Sequence, residues 1–382
     1  MSLKLVACFL LLVGGMAKQF MGEKRRIGVL TSGGDCAGLN AVIRAVVHRA
    51  ECTYGWEVIG IKESTNGLLC SPPKGIPLTS HQVDRWLISG GTFLGTTNKG
   101  NPFAFPIADG QVIDRSADIV AGYHKLGLSA LIGIGGDGSL SILRKLALQG
   151  GWNLVGIPKT IDNDVGATER SIGFDTAVNI ATEALDRLHF TAASHSRVII
   201  LEVMGRDAGH IAMSAGIAGG ADIILIPEIP YSLESIARKI RQNQDQGKTY
   251  SLIIVAEAVK TETGEPITNT NRLGQSRLGG IGHYLADAIC EKTGAETRVT
   301  VLGHTQRGGT PSPLDRLIAS AFGVAAVDLV AQEKYDRMVT WEQRQVSSVP
   351  IEYAISTYAT VNPEGTLVRT ARGLGICLGD DN

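Results

Sequence analysis

The apolar residues fall in short continuous runs, and helix-length segments separate the runs. In the first half, Ile27–Leu30, Trp56–Ile61, Ala130–Ile134 and Asn153–Ile157 read as strands. In the second half, Val198–Val203, Ile223–Ile226, Ser251–Val255 and Arg298–Leu302 do the same. Between them the spacing predicts helices over Asn40–Glu51, Val112–Leu126, Ser139–Gln149, Thr176–Leu188, Gly209–Ala218, Leu233–Asp245, Gly282–Thr293 and Asp315–Glu333. In Ser139–Gln149, for example, Leu140, Leu143 and Leu146 or Ala147 share one side. Strands that are apolar on both faces and alternate with helices predict parallel sheets covered on both sides. The alternation starts afresh in the second half, so the expectation is two doubly wound, Rossmann-like α/β domains. In such sheets ligands sit beyond the carboxyl ends of the strands. Thr261–Gly282 is polar and glycine-rich, and reads as a surface insertion or lid-like loop.

Composition narrows the picture. A chain of 382 residues matches two domains at about 150 residues each. With 44% hydrophobic and 19% charged residues, the bulk of the chain can bury a core and is not disordered. Lys and Arg total 36 against 37 Asp and Glu. That balance argues against a nucleic-acid or anionic-membrane partner, which needs a basic excess. An anionic ligand must be met by local clusters. The 47 glycines exceed the usual share of about 7% and gather at the ends of apolar runs, where bare backbone can approach a ligand. The 6 cysteines form no CxxC pair and no zinc spacing, which suits a reducing cytosol. Lys4, the apolar run Leu5–Val13 and the small residues Gly14, Gly15 and Ala17 have the outline of a secretory signal. Met21 offers a competing start, directly ahead of the first strand.

Four strand ends carry candidate chemistry. Thr31-Ser-Gly-Gly-Asp-Cys-Ala-Gly-Leu-Asn40 places two glycines before a helix, where backbone N–H groups can face a phosphate. Gly133-Ile-Gly-Gly-Asp-Gly-Ser139 contains a literal GxGxxG. However, Gly133 lies inside the strand, and the next strand ends in Pro158-Lys159 rather than in a ribose-binding acid. Asp137 instead suits Mg²⁺ beside phosphates, and Ser139 is expected to cap the helix. Pro158-Lys-Thr-Ile-Asp162-Asn-Asp164 sets two carboxylates two residues apart. They can bind metal, cap a helix, or act as a general base with a partner. Phosphoryl transfer to an alcohol needs a carboxylate for the hydroxyl proton, a metal on the phosphates and positive groups for developing charge. Arg197, Met204-Gly205-Arg206, Arg298 and Gly303-His304-Thr-Gln-Arg307-Gly-Gly supply such groups at strand junctions. Glu257, after the strand Ser251–Val255, can take hydrogen bonds from a polyol.

GGDGS, PKTIDND, MGR and GHTQRGG, in that order after LTSGGDCAGLN, resemble the phosphofructokinase family from about Arg26 to about Val330. The resemblance implies transfer of a γ-phosphoryl group to the 1-hydroxyl of fructose 6-phosphate, with Mg²⁺, in a cytoplasmic homotetramer or dimer of dimers. It places the active site in a cleft between two domains. One, 22–173 plus about 306–355, would bind nucleotide. The other, 174–305 plus about 356–382, would bind sugar phosphate, and 1–21 would be a leader or mis-assigned start. An ATP-consuming sugar kinase outside the cell lacks its donor, which favours a start at Met21.

Residue roles follow from the same resemblance. Asp162 would accept the proton, with Thr160 and Asp164 beside it and Arg206 among the catalytic groups. Asp137 would hold Mg²⁺. Gly33, Gly136, Gly138 and Ser139 would line the nucleotide. Arg197, Met204, Gly205, Arg206, Glu257, Arg298, His304 and Arg307 would hold the sugar phosphate, with Arg197 and Arg298 reaching across a subunit boundary.

The chain departs from the compact bacterial members at several points. Asn98, followed by Lys99, stands where they carry a donor-bridging Arg, so both residues are expected to contact the donor. Gly138 leaves open the space that an Asp fills in pyrophosphate users, which favours ATP, whereas Lys159 is the pyrophosphate-type residue. At the family's effector site Arg44 and Lys248 match, but His48 and His189 replace arginines, which would make effector binding pH-dependent. The competing readings are a pyrophosphate-dependent phosphofructokinase, an NAD or lipid kinase sharing GGDG, an NAD-dependent dehydrogenase, and a regulatory subunit without chemistry.

Overall fold

The computed structural model describes residues 25–107, 110–270 and 276–380; the leader lies outside them. The strands of the two main sheets, in chain order, are β1 Arg26–Thr31, β2 Glu57–Ile61, β3 Gly75–Leu78, β4 Ala130–Gly135, β5 Leu154–Pro158, β6 Val198–Val203, β7 Ile223–Leu225, β8 Ser251–Ala256, β9 Thr297–Val301, β10 Arg337–Glu342 and β11 Gln345–Pro350. The chain forms two compact units. The first runs through Lys159 and adds Ala167–Glu169 and Arg316–Ser356; the second holds Thr160–Gly166, Arg170–Asp315 and the segment from Thr357.

The first unit is built on a seven-stranded sheet in the order β11-β10-β5-β4-β1-β2-β3. Its five central strands are parallel, and β3 and β11 close the edges antiparallel. β4 is buried along its whole length and β1 after Arg26, as two-face coverage requires. The strand order reverses between β1 and β4, the switch point at which doubly wound sheets open a crevice. Register fixes the level of the loops there: Thr31 lies opposite Ile134, and Gly135 opposite Pro158. The loops beginning at Ser32, Gly136 and Lys159 therefore emerge side by side.

The second unit has a parallel sheet in the order β9-β6-β8-β7. β6 and β8 are fully buried and β9 is a half-exposed edge. Val203 pairs with Ala256, and Glu202 with Val301. The segments starting at Met204, Glu257 and Leu302 leave the sheet together, tied by Glu257 N–H to Val203 O (2.9 Å) and Leu302 N–H to Glu202 O (3.1 Å).

Some elements differ from the pattern-based expectation. The Asn40–Glu51 helix runs Leu39–His48 and ends in a π-turn, Arg49–Thr53. Of Val112–Leu126 only Ser116–Lys125 is helical; Val112–Ile113 pairs instead with Phe105–Pro106. The Thr261–Gly282 loop contains an antiparallel pair, Thr268–Thr270 with Ser276–Leu278, and residues 271–275 lie outside the description. Ser139 does not cap its helix. The helix starts at Asp137 after Gly136, with no side-chain cap, so Ser139 sits inside its first turn. Among the described residues no helix is long and apolar enough to cross a membrane.

Candidate active site

In the first unit the loops after β1, β4 and β5 form a glycine-lined cradle. Gly33 has φ +84°, and a Cβ there would lie 2.8 Å from Ser139 Oγ and 3.2 Å from Lys159 Nζ. Only glycine gives both the backbone angle and the space. The buried Lys159 donates from Nζ to Gly34 O at 2.6 Å. Gly33 N–H reaches Thr97 O (2.9 Å), and Thr96 Oγ1 reaches Gly33 O (2.7 Å). The segment carrying the exposed Asn98 and Lys99 is thereby fastened to the cradle, with Lys99 N–H also bonded to Thr97 Oγ1. Gly136 precedes the helix Asp137–Gly150, whose amino end and dipole favour an anion. A Cβ on Gly138 would meet nothing within 4 Å. Gly33, Gly136, Asp137, Gly138, Ser139 and Lys159 thus gather at one switch point.

In the second unit the carboxylates converge. Asp162 is only 6% exposed. Its Oδ2 accepts from Thr160 Oγ1 at 3.2 Å, and its Oδ1 is buried without a hydrogen-bond partner among the described residues. Burial first, then the Asp164 charge, pushes the Asp162 carboxyl up to about 6; Arg307, Thr160 and Arg206 oppose the rise. Arg206 Nη1 lies 3.6 Å from Asp164 Oδ2. The backbone under these groups is braced. Thr160 N–H bonds Ile172 O, Ser171 Oγ bonds Thr160 O, and Asn163 Oδ1 accepts from Ser171 N–H. Asn163 (φ 54°) and Arg206 (φ 53°) both take the left-handed conformation. Such strain gathers where surrounding contacts over-determine a site.

Glu257 Oε1 accepts from the Gly205 and Arg206 N–H groups at 3.4 and 3.1 Å. Burial, with Asp162 nearby, raises its carboxyl to about 7. A Cβ on Gly205 would strike Ala208 O at 2.5 Å. Arg307 is half-buried within the field of Asp162, while His304 is exposed on the same short helix, Gly303–Arg307.

Arg197 and Arg298 do not join this cluster. They stand at the amino ends of β6 and β9, whereas Met204–Arg206, Glu257 and Arg307 follow the carboxyl ends of the parallel strands. Both instead grip Glu296: Arg197 at 2.9 Å, Arg298 by an ion pair. Arg197, before Arg298, draws the Glu296 carboxyl below its ordinary range. Of the expected effector residues, Arg44 and His48 share Asp84 at 2.9 and 2.7 Å. Lys248 pairs with Asp222 at 2.6 Å, and His189 faces the Tyr250 hydroxyl at 3.0 Å.

Two residues escaped the sequence reading. Gln306 is buried and holds Met204 N–H; it lay in plain view inside GHTQRGG. Tyr358 pairs with Val165 in an isolated bridge, and the next residue's N–H binds Asp164 O at 2.9 Å. Burial and then the Asp164 carboxylate raise the Tyr358 hydroxyl above its ordinary value. No sequence signal marks it.

The phosphofructokinase family model matches residues 26–330. The ATP-dependent 6-phosphofructokinase 1 of Synechocystis sp. is 70% identical over 361 residues, 94% of this chain and 100% of that protein. The phosphofructokinase structure from Saccharomyces cerevisiae superposes with a TM-score of 0.73 at 31% identity, covering 87% of this chain and 45% of that one. A pyrophosphate-dependent phosphofructokinase from Nitrosospira multiformis shares the fold, with a TM-score of 0.76 at 20% identity over 94% of this chain and 93% of that one. The matched stretch contains both main sheets up to β9, with the glycine cradle of one and the carboxylate cluster of the other, and on that match the chain belongs to the phosphofructokinase family.

Proposed function

We propose that this chain is an ATP-dependent 6-phosphofructokinase of glycolysis. It transfers the γ-phosphoryl group of ATP to the 1-hydroxyl of fructose 6-phosphate, giving fructose 1,6-bisphosphate and ADP. The observation that carries the reading is the buried, unpartnered Oδ1 of Asp162. With its carboxyl near 6, Asp162 is ionised at neutral pH and still basic enough to take the proton of an alcohol. The deprotonating oxygen attacks the γ-phosphorus as the bond to the β-bridging oxygen breaks. Thr160 orients the carboxylate through Oδ2. Arg206, set by Asp164, and Arg307 meet the charge developing on the transferred group. Met204, Gly205, Glu257 and His304 line the sugar.

Gly33, Asn98, Lys99, Gly136, Gly138 and Ser139 take the nucleotide, and the open space at Gly138 accommodates an α-phosphate that pyrophosphate lacks. Lys159, tied to Gly34, lends positive charge. Among the described residues no three His, Cys, Asp or Glu side chains form a metal cluster. Asp137, a carboxylate beside the cradle, fits Mg²⁺, which is commonly held by one or two carboxylates together with substrate phosphates, and is the residue that would hold it. Bound Mg²⁺ would neutralise charge on the phosphates. Arg197 and Arg298, remote from Asp162 within one chain, suit a sugar phosphate bound by a neighbouring copy in a homotetramer. The cytoplasm, which supplies ATP, is the compartment, and Arg44, His48, His189 and Lys248 are the candidate effector residues of an allosteric enzyme.

A coupled assay on fructose 6-phosphate with ATP and pyrophosphate side by side, on wild type and Asp162→Ser, tests the reading. Turnover with ATP that falls by orders of magnitude in the variant, with sugar-phosphate binding kept, is expected. Turnover with pyrophosphate alone refutes the donor assignment, and an unimpaired variant refutes the base.

A further inference from the structure

We propose that Gln306 is a positioning residue for sugar-phosphate binding, acting through the Met204–Arg206 turn; this rests on the phosphofructokinase reading above. Gln306 is 1% exposed, and its Oε1 accepts the Met204 N–H at 2.7 Å. A backbone N–H can only donate, so this contact fixes which end of the amide is oxygen. Nε2 is then a buried donor without a hydrogen-bond partner among the described residues. Leaving such a group unmet is costly, and an apolar side chain of the same length would avoid that cost. A polar residue held there at a penalty points to a task for its oxygen.

The geometry supplies the task. Three consecutive amides, of Met204, Gly205 and Arg206, are captured by side-chain oxygens: the first by Gln306, the other two by Glu257 Oε1. The capture holds Arg206 at φ 53° and keeps its guanidinium 3.6 Å from Asp164. Gln306 comes from the segment after β9 and Glu257 from the one after β8, so the turn after β6 is clamped from both neighbouring strands. Glu257 alone leaves the first peptide of the turn unanchored. Loosening it shifts Met204, Gly205 and Arg206 together, all on the sugar side, and leaves the glycine cradle of the first unit untouched.

Steady-state kinetics with each substrate varied, on wild type, Gln306→Met and Gln306→Glu, tests this. Gln306→Met removes the acceptor at constant length. It is expected to raise KM for fructose 6-phosphate about tenfold or more, to leave KM for ATP within about twofold, and to melt close to wild type. Gln306→Glu keeps an oxygen for the Met204 amide. Its KM for the sugar is expected to stay within about threefold of wild type, because the carboxyl offers an acceptor to that amide in either form. An unchanged sugar KM in Gln306→Met, or equal rises for both substrates, overturns the proposal. If that variant does not fold, a sugar KM in Gln306→Glu raised by about tenfold or more over wild type overturns it. A wild type that does not turn over fructose 6-phosphate with any donor sinks the functional reading itself.

Discussion

Asp162, the proposed base, is also a burden on the fold. Its folded pKa of about 6 lies above the 3.8 of the free side chain. Between those values the folded chain binds more protons than the unfolded one, so stability falls as pH rises through that window. Glu257, raised from 4.5 to about 7, acts in the same direction. Asp162→Asn is therefore expected to stabilise the protein at pH 8 by on the order of 2–3 kcal/mol while cutting kcat by about 10³-fold. Thermal unfolding and turnover of the same preparation check this, and a lower melting midpoint at pH 8 contradicts it. For the wild type, kcat/KM is expected to climb with pH along an acid limb near 6, because only the ionised carboxylate accepts a proton. Gly138 makes the complementary case on the donor side. The space around its missing Cβ is empty to 4 Å, so Gly138→Asp is expected to fold normally yet raise KM for ATP by about tenfold or more through charge repulsion. An unaltered KM for ATP removes Gly138 from the donor site.

At the scale of elements, the turn after β2 is under strain. Glu63 and Ser64 have φ 58° and 59°. Ser64 adds ψ −143°, a region that is essentially glycine's, and its buried Oγ has no hydrogen-bond partner among the described residues. Ser64→Gly relieves about 1–3 kcal/mol of strain against about 0.5–1 kcal/mol of glycine entropy. A net gain of about 1 kcal/mol in denaturant unfolding is expected, and a loss of stability would show that the turn is not strained. The same scale shows why part of the fold was legible. β6 and β8 are buried on both faces, so their continuous apolar runs stand out. Val112 and Ile113 are apolar but exposed, and their apparent helical spacing misled. The β10–β11 hairpin turns through Gln343 and Arg344, both at positive φ, without the Asn-Gly or Asp-Gly that normally marks such a turn. β3 contains Pro77, which belongs to edge strands and hides one. In the site, the Met204, Glu257 and Arg307 segments were found because each follows a strand end. Arg197 and Arg298 begin their strands, which in a parallel sheet places them at the opposite edge from that cluster.

At the scale of the whole molecule, the residues assigned to the two substrates divide between the two units. The nucleotide residues Gly33 and Gly136–Ser139 belong to the first; the sugar residues Met204–Arg206, Glu257 and Arg307 belong to the second. Each set hangs on its own sheet through its own register. A ligand that fills one set removes local opening there first, because backbone amides exchange through local fluctuations that bound groups suppress. Hydrogen exchange read by mass spectrometry, with each ligand added alone, is therefore expected to separate them. A non-hydrolysable ATP analogue with Mg²⁺ slows exchange in peptides covering Ser32–Asp35 and Gly136–Leu140. Fructose 6-phosphate slows it in peptides covering Met204–Ala208 and Gly303–Gly308. The Asp162–Val165 peptide, whose Asp164 faces Arg206, responds to the sugar. Protection by fructose 6-phosphate confined to the first unit, or by nucleotide confined to the second, reverses the assignment of substrates to units and with it the role given to Asp162.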